Sequence, residues 1–141
     1  MELDCGARVN ILSHKIKKRL NATFSDLGIT GVQSRIIYYI LSHCQAGPVF
    51  QRDVESAFRL SRSTATGILQ LLEKNGLIRR ESVASDGRLK RLVPTERAVC
   101  LNEQVHASLR ATEALMTKGI SSGQLQLFLE TIAKMSENLD S

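Results

Sequence analysis

The 141-residue sequence has few of the features that mark membrane, secreted or disulfide-linked proteins. Its uninterrupted apolar runs are only a few residues long, too short to cross a bilayer. Its first residues have neither the basic start nor the apolar stretch of a signal peptide, so we expect a cytoplasmic protein with no membrane partner. Cys5, Cys44 and Cys100 show no C-x-x-C spacing, and their odd number and wide separation argue against a disulfide framework.

Motifs for catalysis and metal binding are also missing. The sequence has no G-x-S-x-G, no phosphate-binding glycine loop and no H-E-x-x-H. His14, His43 and His106 are unpaired in sequence, and the acidic residues are dispersed along polar helix faces. We therefore expect no enzymatic activity, no metal site and no cofactor.

The composition is that of an ordinary globular protein, and its net charge is unevenly placed. Hydrophobic residues make up 43% and charged residues 23%, which suits one domain with a real core. Residues 59–97 hold nine basic and four acidic side chains, and the rest of the chain is neutral, so this segment carries the whole net charge of +5. A polyanion-binding region has this pattern, and a solvated basic surface has it too, so charge alone leaves both interpretations open.

Apolar residues at steps of three and four predict six helices in one domain over residues 1–141. The first helix is closed by Gly28, and Thr30 with Gln33 predicts a capping box on the second. Ser61 caps the fourth helix and Gly76 ends it. Further caps are predicted at Thr95 for the fifth helix and at Ser121 with Gln124 for the sixth. The stripe of the first helix consists of Val9, Leu12, Ile16, Leu20, Phe24 and Leu27.

Between the fourth and fifth helices the apolar period changes to that of a hairpin. Residues 77–83 and 89–93 predict two strands around a turn at residues 84–88. The fold class is thus mainly α with one small antiparallel β-hairpin, in the order of four helices, two strands and two helices.

Two short helices joined by a tight turn and followed by a basic hairpin describe a winged helix-turn-helix. The second helix of such a pair enters the major groove of DNA. Its outward face is predicted to hold Ser63, Thr66, Gly67, Gln70 and Lys74, with Arg62 on its flank. The hydroxyl, amide and cationic side chains among these residues suit bases and phosphates. A polar helix face in contact with solvent alone would show the same residues.

The hairpin favours DNA over solvent. Arg88 is predicted at its tip with Lys90 and Arg91 behind, where a basic loop can reach a neighbouring minor groove. Asp86 either orients Arg88 or only forms the turn.

Three segments make the sequence resemble the MarR family of bacterial transcriptional regulators. They are Leu60–Thr66 (LSRSTAT), Leu71–Arg80 (LLEKNGLIRR) and Asp86–Thr95 (DGRLKRLVPT), the last with the family's Asp and Arg two apart before a strand. The sequence departs from the family pattern at Pro94, Ala98 and Gly67, and the missing side chain at Gly67 means that the operator preference of relatives does not carry over.

The resemblance implies a homodimeric winged helix-turn-helix repressor that binds a pseudopalindromic operator in double-stranded DNA and controls a nearby operon. Residues 30–94 would form the DNA-binding lobe, and residues 5–27 and 95–139 the dimerisation helices. The implied DNA-binding residues are Arg62, Ser63, Thr64, Thr66, Gln70, Lys74, Arg88 and Lys90. A small aromatic or anionic effector would relieve repression, and candidate contacts for it are His14, Phe24, Arg35 and Tyr38, or Tyr39 in place of Tyr38.

Two alternatives stay open. Some relatives sense oxidants through a cysteine early in the first helix, where Cys5 lies, although Gly31 and Ser34 stand where the activating tyrosines would be expected. Cys44 and Cys100 are interpreted as small apolar fillers. From another class of function, the winged helix could be a protein-interaction module that binds no DNA.

Overall fold

The predicted fold class is confirmed. A computed structural model describes residues 4–83 and 86–141, and residues 86 and 87 through their backbone alone. The elements are α1 (Cys5–Leu27), α2 (Gly31–His43), α3 (Gln51–Phe58), α4 (Arg62–Lys74), β1 (Ile78–Val83), β2 (Asp86–Pro94), α5 (Glu96–Met116) and α6 (Ser122–Leu139). Within these residues, no helix combines the length and the apolar character needed to cross a membrane.

The helix ends follow the local signals in the sequence. The Thr30 hydroxyl accepts a hydrogen bond from the Gln33 backbone N–H, and the Gln33 side chain accepts one from the Thr30 N–H. Ser121 and Gln124 repeat this arrangement at the start of α6. Gly28 after α1 and Gly76 after α4 have φ of 72° and 74°, a conformation that glycine adopts without steric cost.

The chain divides into two compact units, residues 1–108 and residues 109–141. The first unit contains the hydrophobic core, to which α2, α3, α4, the hairpin and α5 all contribute. Its fully buried large side chains are Ile36, Ile37, Ile40, Val54, Leu69, Leu72, Leu77, Ile78 and Leu92. This core fixes the positions of α3, α4 and the hairpin, since each places apolar side chains in it.

The hairpin is antiparallel, and its register breaks near the outer end. Ile78 pairs with Pro94 and the ladder is regular as far as Ser82 with Lys90, but Val83 pairs with Asp86. Residues 87–89 of β2 therefore lie between two successive pairs, as in an extended bulge, which bends a strand and redirects its side chains. The predicted turn at residues 84–88 is wrong in extent, because pairing resumes at Asp86 and places Arg88 on β2 instead of at the tip.

The start of α5 is tied to the end of α4 by polar contacts. The Thr95 hydroxyl donates to the Gly76 carbonyl oxygen (2.7 Å) and accepts from the Ala98 N–H (3.2 Å), so it caps α5 as predicted. Arg97 Nη1 donates to the Asn75 carbonyl oxygen at 2.6 Å. These bonds hold the loop after α4 against the strand–helix junction after β2.

The helices at the two ends of the chain carry exposed apolar side chains. No residue of α1 is buried, and Val9, Ile11 and Leu12 are 49%, 57% and 39% exposed. In the second unit no residue of α6 is buried, and Leu129 and Leu139 are 64% and 86% exposed. Both helices are amphipathic, and part of the apolar stripe of each is exposed.

Candidate nucleic-acid interface

Helices α3 and α4 with the turn between them form a helix-turn-helix. Val54 of α3 and Ala65, Leu69 and Leu72 of α4 are fully buried, while Ile68, also predicted to pack inward, is half-buried. Ser61 caps α4 by accepting from the Thr64 N–H at 3.2 Å. Because the inward face of α4 is apolar, its polar face lies at the surface.

The structure places most of the predicted DNA-binding residues of α4 at this surface. Arg62, Ser63, Thr64, Gln70 and Lys74 are all exposed. Gly67 lies among them, and a Cβ added there would meet no atom within 4 Å. The exposed face therefore carries cationic, hydroxyl and amide groups around one open position.

Thr66 is half-buried, and its hydroxyl is already engaged. It donates to the Arg62 carbonyl oxygen at 2.8 Å and accepts from Gln51 Nε2 at 2.9 Å. Gln51 Nε2 also lies 3.4 Å from the Arg62 carbonyl oxygen. Sequence reasoning missed Gln51, whose role depends on the packing of α3 against α4. Thr66 thus links the first turn of α4 to the first residue of α3.

A basic cleft of about 470 Å³ lies between the start of α3, the start of α4 and the hairpin. It brings together Arg62 and Thr66 of α4 with Arg88 and Lys90 of β2, four of the predicted DNA-binding residues. Its remaining lining was not predicted: Phe50, Gln51, Arg52, Glu55, Arg80 and Leu89. The charge excess of residues 59–97 already included Arg80, whereas nothing in the sequence pattern singled out Phe50 or Arg52.

The electrostatics of the cleft favour an anion, because five cationic side chains and one carboxylate line it. The Arg52 guanidinium lies 4.9 Å from the centre of the Phe50 ring, a cation–π geometry that holds it near the start of α3. Arg80 lies 3.8 Å from a Glu73 carboxylate oxygen. Phosphate oxygens are the ligands that such a set of guanidinium and ammonium groups binds well.

Not every basic residue of the hairpin serves the cleft. Arg91 Nη2 donates to Glu81 Oε2 across the strands at 2.9 Å, and Arg79 lies 3.8 Å from the same carboxylate group. Both contacts are at the surface and contribute little to stability. The role predicted for the Asp86 side chain falls outside the described residues and stays a prediction.

The segment that forms the helix-turn-helix and the first part of the hairpin resembles a known family. The MarR family model matches residues 27–89, from the end of α1 into β2. In this segment the chain is similar to the MarR family.

Solved structures extend the likeness to nearly the whole chain. MepR, a transcription regulator of the Staphylococcus aureus multidrug efflux pump MepA, is 22% identical with a TM-score of 0.85, covering 97% of this chain and 99% of that chain. A S. aureus MepR–DNA complex is 24% identical with a TM-score of 0.80, covering 92% and 96%. S. aureus MepR bound to ethidium bromide is 23% identical with a TM-score of 0.76, covering 97% of each chain. At these identities the likeness is one of fold, here the MarR fold.

The residues that the MarR resemblance suggested for an effector fall into separate groups. A Cβ on Gly31 would lie 3.4 Å from both Arg35 Nη1 and Phe24 Cε2, so Phe24 and Arg35 both border Gly31 at the junction of α1 and α2. Tyr38 is half-exposed, and its ring lies 5.3 Å from that of His106 on α5. His14 is exposed, with Nδ1 2.8 Å from the Asn10 carbonyl oxygen. Of these four residues, only Phe24 and Arg35 share a neighbour, Gly31, in the contacts described.

Tyr39, the alternative to Tyr38, lies elsewhere. Its ring stacks on His43 at 4.1 Å and meets Phe58 edge-on at 5.8 Å, so it joins α2 to α3. This packing indicates a structural contact between helices.

The three cysteines carry free thiols. Cys5 is exposed at the first residue of α1, and Cys44 is half-buried beside a second cavity, of about 310 Å³, lined also by Val49 and Leu92. The interpretation of Cys100 as an apolar filler is wrong, because it lies on the exposed side of α5. Among the residues that the structure describes, no three His, Cys, Asp or Glu side chains are grouped for metal binding.

Proposed function

We propose that this protein is a homodimeric, sequence-specific DNA-binding regulator of transcription of the MarR family. The observation that carries the proposal is the basic cleft, which joins the start of α4 to both strands of the hairpin through Arg62, Arg80, Arg88 and Lys90. Cations from different elements converge on one surface groove, and a polyanion that follows the protein surface is the ligand that would contact all of them. The DNA complex of the structurally similar MepR supports this choice of polyanion.

In the proposed complex α4 enters the major groove and the hairpin lies alongside it. Ser63, Gln70 and Lys74 are exposed on α4 and present hydroxyl, amide and ammonium groups for base edges and phosphates. Arg88 and Lys90 belong to β2 and approach the adjacent backbone or minor groove. Thr64 and Thr66 contribute less to direct reading, because each hydroxyl already has a partner within the protein.

The proposed dimer forms through the helices at the chain ends. Apolar side chains on α1 and α6 are exposed in the single chain, and monomeric proteins rarely leave large apolar faces uncovered. A twofold axis would pair identical faces and set two α4 helices about one DNA turn, ~34 Å, apart on a pseudopalindromic operator. Residues 5–27 and 95–139 are thus proposed as dimerisation helices, and residues 30–94 as the DNA-binding lobe.

The proposed action is repression of a nearby operon, relieved by a small aromatic or anionic effector. MepR bound to ethidium bromide supports a planar aromatic ligand for this fold. In this chain Phe24 and Arg35 offer an aromatic face and a guanidinium beside Gly31, which suits an aromatic acid. Binding there would change the DNA affinity only if the ligand prefers one relative arrangement of the DNA-binding lobes of the two protomers.

Selection from a random 40-base-pair duplex pool tests DNA binding whatever the operator sequence is. We expect enrichment of a pseudopalindrome and an affinity for it that falls steeply with salt, with a log–log slope of about −0.9 for each phosphate contact. The double variant Arg62→Ala/Arg88→Ala is the matched control, since both side chains are cleft cations whose removal leaves the core intact. Failure to enrich any sequence, with equally weak binding by both proteins, would leave the protein-interaction module as the better account.

A further inference from the structure

Arg59, in the turn of the helix-turn-helix, has an unusual backbone conformation. Its φ of 52° makes it the one residue other than glycine with positive φ within residues 4–83 and 86–141. The conformation is required by the turn, because the backbone N–H groups of Arg59 and Leu60 both donate to the Glu55 carbonyl oxygen and so close α3. An L-residue with a Cβ is disfavoured in this left-handed region, whereas glycine is at ease there.

The side chain of Arg59 does not compensate for this strain inside the protein. It is exposed, and no hydrogen bond or ion pair joins it to any other residue of the described chain. Neither packing nor a salt bridge therefore explains an arginine at a position where glycine would fit the backbone better. The turn requires the left-handed backbone but not an arginine, and a strained residue whose side chain has no partner inside the protein points to a partner outside it.

The position of Arg59 indicates what that function is. It lies two residues before Ser61, the cap of α4, and three before Arg62, which lines the basic cleft. The exposed N-terminal turn of α4 adds the positive end of its dipole to the same region. Arg59 is therefore next in the chain to the surface that the proposed function assigns to DNA.

We propose that Arg59 is a phosphate-binding residue that anchors the turn of the helix-turn-helix to the DNA backbone. The planar guanidinium donates paired hydrogen bonds to two phosphate oxygens, whereas a lysine in the same place acts only as a point charge. The inference rests on the proposed DNA binding and deepens it by adding a contact outside the cleft. Replacing Arg59 with glycine should therefore raise the stability of the protein and lower its affinity for DNA.

The test compares Arg59→Gly, Arg59→Asn and Arg59→Lys with the parent protein on the duplex enriched from the random pool. Glycine relieves the left-handed strain and removes the charge, asparagine tolerates the conformation without charge, and lysine keeps both strain and charge. We expect Arg59→Gly to raise the Tm by about 2–4 °C. We expect Arg59→Gly and Arg59→Asn to lower the salt slope by about 0.9 and the affinity in 0.1 M salt about eightfold for each protomer bound.

Arg59→Lys should keep the parent salt slope, with a modest loss of affinity and an unchanged Tm. A parent-like salt slope in Arg59→Gly, with the parent protein binding normally, overturns the role of Arg59 and leaves the proposed function standing. A slope that falls as much in Arg59→Lys as in Arg59→Gly overturns it too, since lysine retains the charge. If the parent protein enriches no duplex, the proposed function and this inference fail together.

Discussion

Removing the Gln51 side chain tests whether the first turn of α4 is held in place by α3. Gln51 Nε2 donates to Thr66 Oγ1 at 2.9 Å, and the same hydroxyl donates to the Arg62 carbonyl oxygen at 2.8 Å. The three groups form one small network beside the basic cleft. If the network acts as a unit, removing either side chain should weaken the same interaction, and removing both should cost little more than removing one.

The expected magnitude follows from the kind of bond involved. A neutral side-chain hydrogen bond contributes about 0.5–1.5 kcal/mol net to stability, and both partners here are half-buried rather than exposed. We therefore expect Gln51→Ala and Thr66→Val each to lower the free energy of unfolding by about 1 kcal/mol. The double variant should lose about 1 kcal/mol less than the sum of the single losses.

Urea unfolding of the four proteins measures this coupling, with all samples at one protomer concentration because dimer formation contributes to stability. Fluorescence anisotropy on the selected duplex then shows whether the coupling extends to DNA affinity. Gln70 provides the matched control, because it is exposed on α4 and its amide makes no hydrogen bond with the described residues. The losses of stability in a cycle of Gln70→Ala with Thr66→Val should therefore be additive. Additivity within about 0.3 kcal/mol for the Gln51 cycle would refute the reasoning.

Three further perturbations test the fold, the DNA contacts and the dimer. Gly67→Ala should raise the free energy of unfolding by about 1 kcal/mol, since the added Cβ meets nothing within 4 Å. Gly76→Ala should lower it by about as much, because φ is 74° there. Urea titrations that give the same sign for both changes would contradict this. Arg88→Ala should weaken binding to all duplexes alike and reduce the salt slope by about 1. Gln70→Ala should instead relax the preference at one base pair by about 1–3 kcal/mol. A uniform loss of affinity in Gln70→Ala would mean that Gln70 contacts only phosphates. Leu129→Lys replaces an apolar side chain that is 64% exposed in the single chain with a charged one. Sedimentation should then show a shift towards monomer at unchanged helicity. A parent-like mass would exclude this face of α6 from the dimer interface.

The features that could be predicted from the sequence are those that depend on neighbours along the chain. Thr30 with Gln33 and Ser121 with Gln124 form capping boxes as predicted, because both partners lie within one helical turn. The inward face of α4 was predictable for a similar reason, since an apolar stripe at helical spacing can be buried in only one orientation. Net charge confined to residues 59–97 indicated which part of the surface is basic before any packing was known.

Contacts between elements could not be predicted in this way. The break in the hairpin register places Arg88 on β2, and it depends on cross-strand pairing that apolar alternation does not encode. The sequence pattern predicts Cys100 to be a small apolar filler, but the orientation of α5 leaves it at the surface. Phe50, Arg52 and Arg80 line the cleft only because α3, α4 and the hairpin share one core.

By itself, then, the amino-acid sequence determined the order of the elements, their caps and the place of the charge, since these follow from local hydrogen bonding and periodicity. Tertiary packing decided which cations face one another and which polar groups are already engaged within the protein. The basic cleft shows the difference most clearly, because Arg52 of α3, Arg62 of α4 and Arg88 of β2 line it together only in the folded chain. The physical reason is that such convergence arises from contacts between elements distant in sequence, which no local pattern contains.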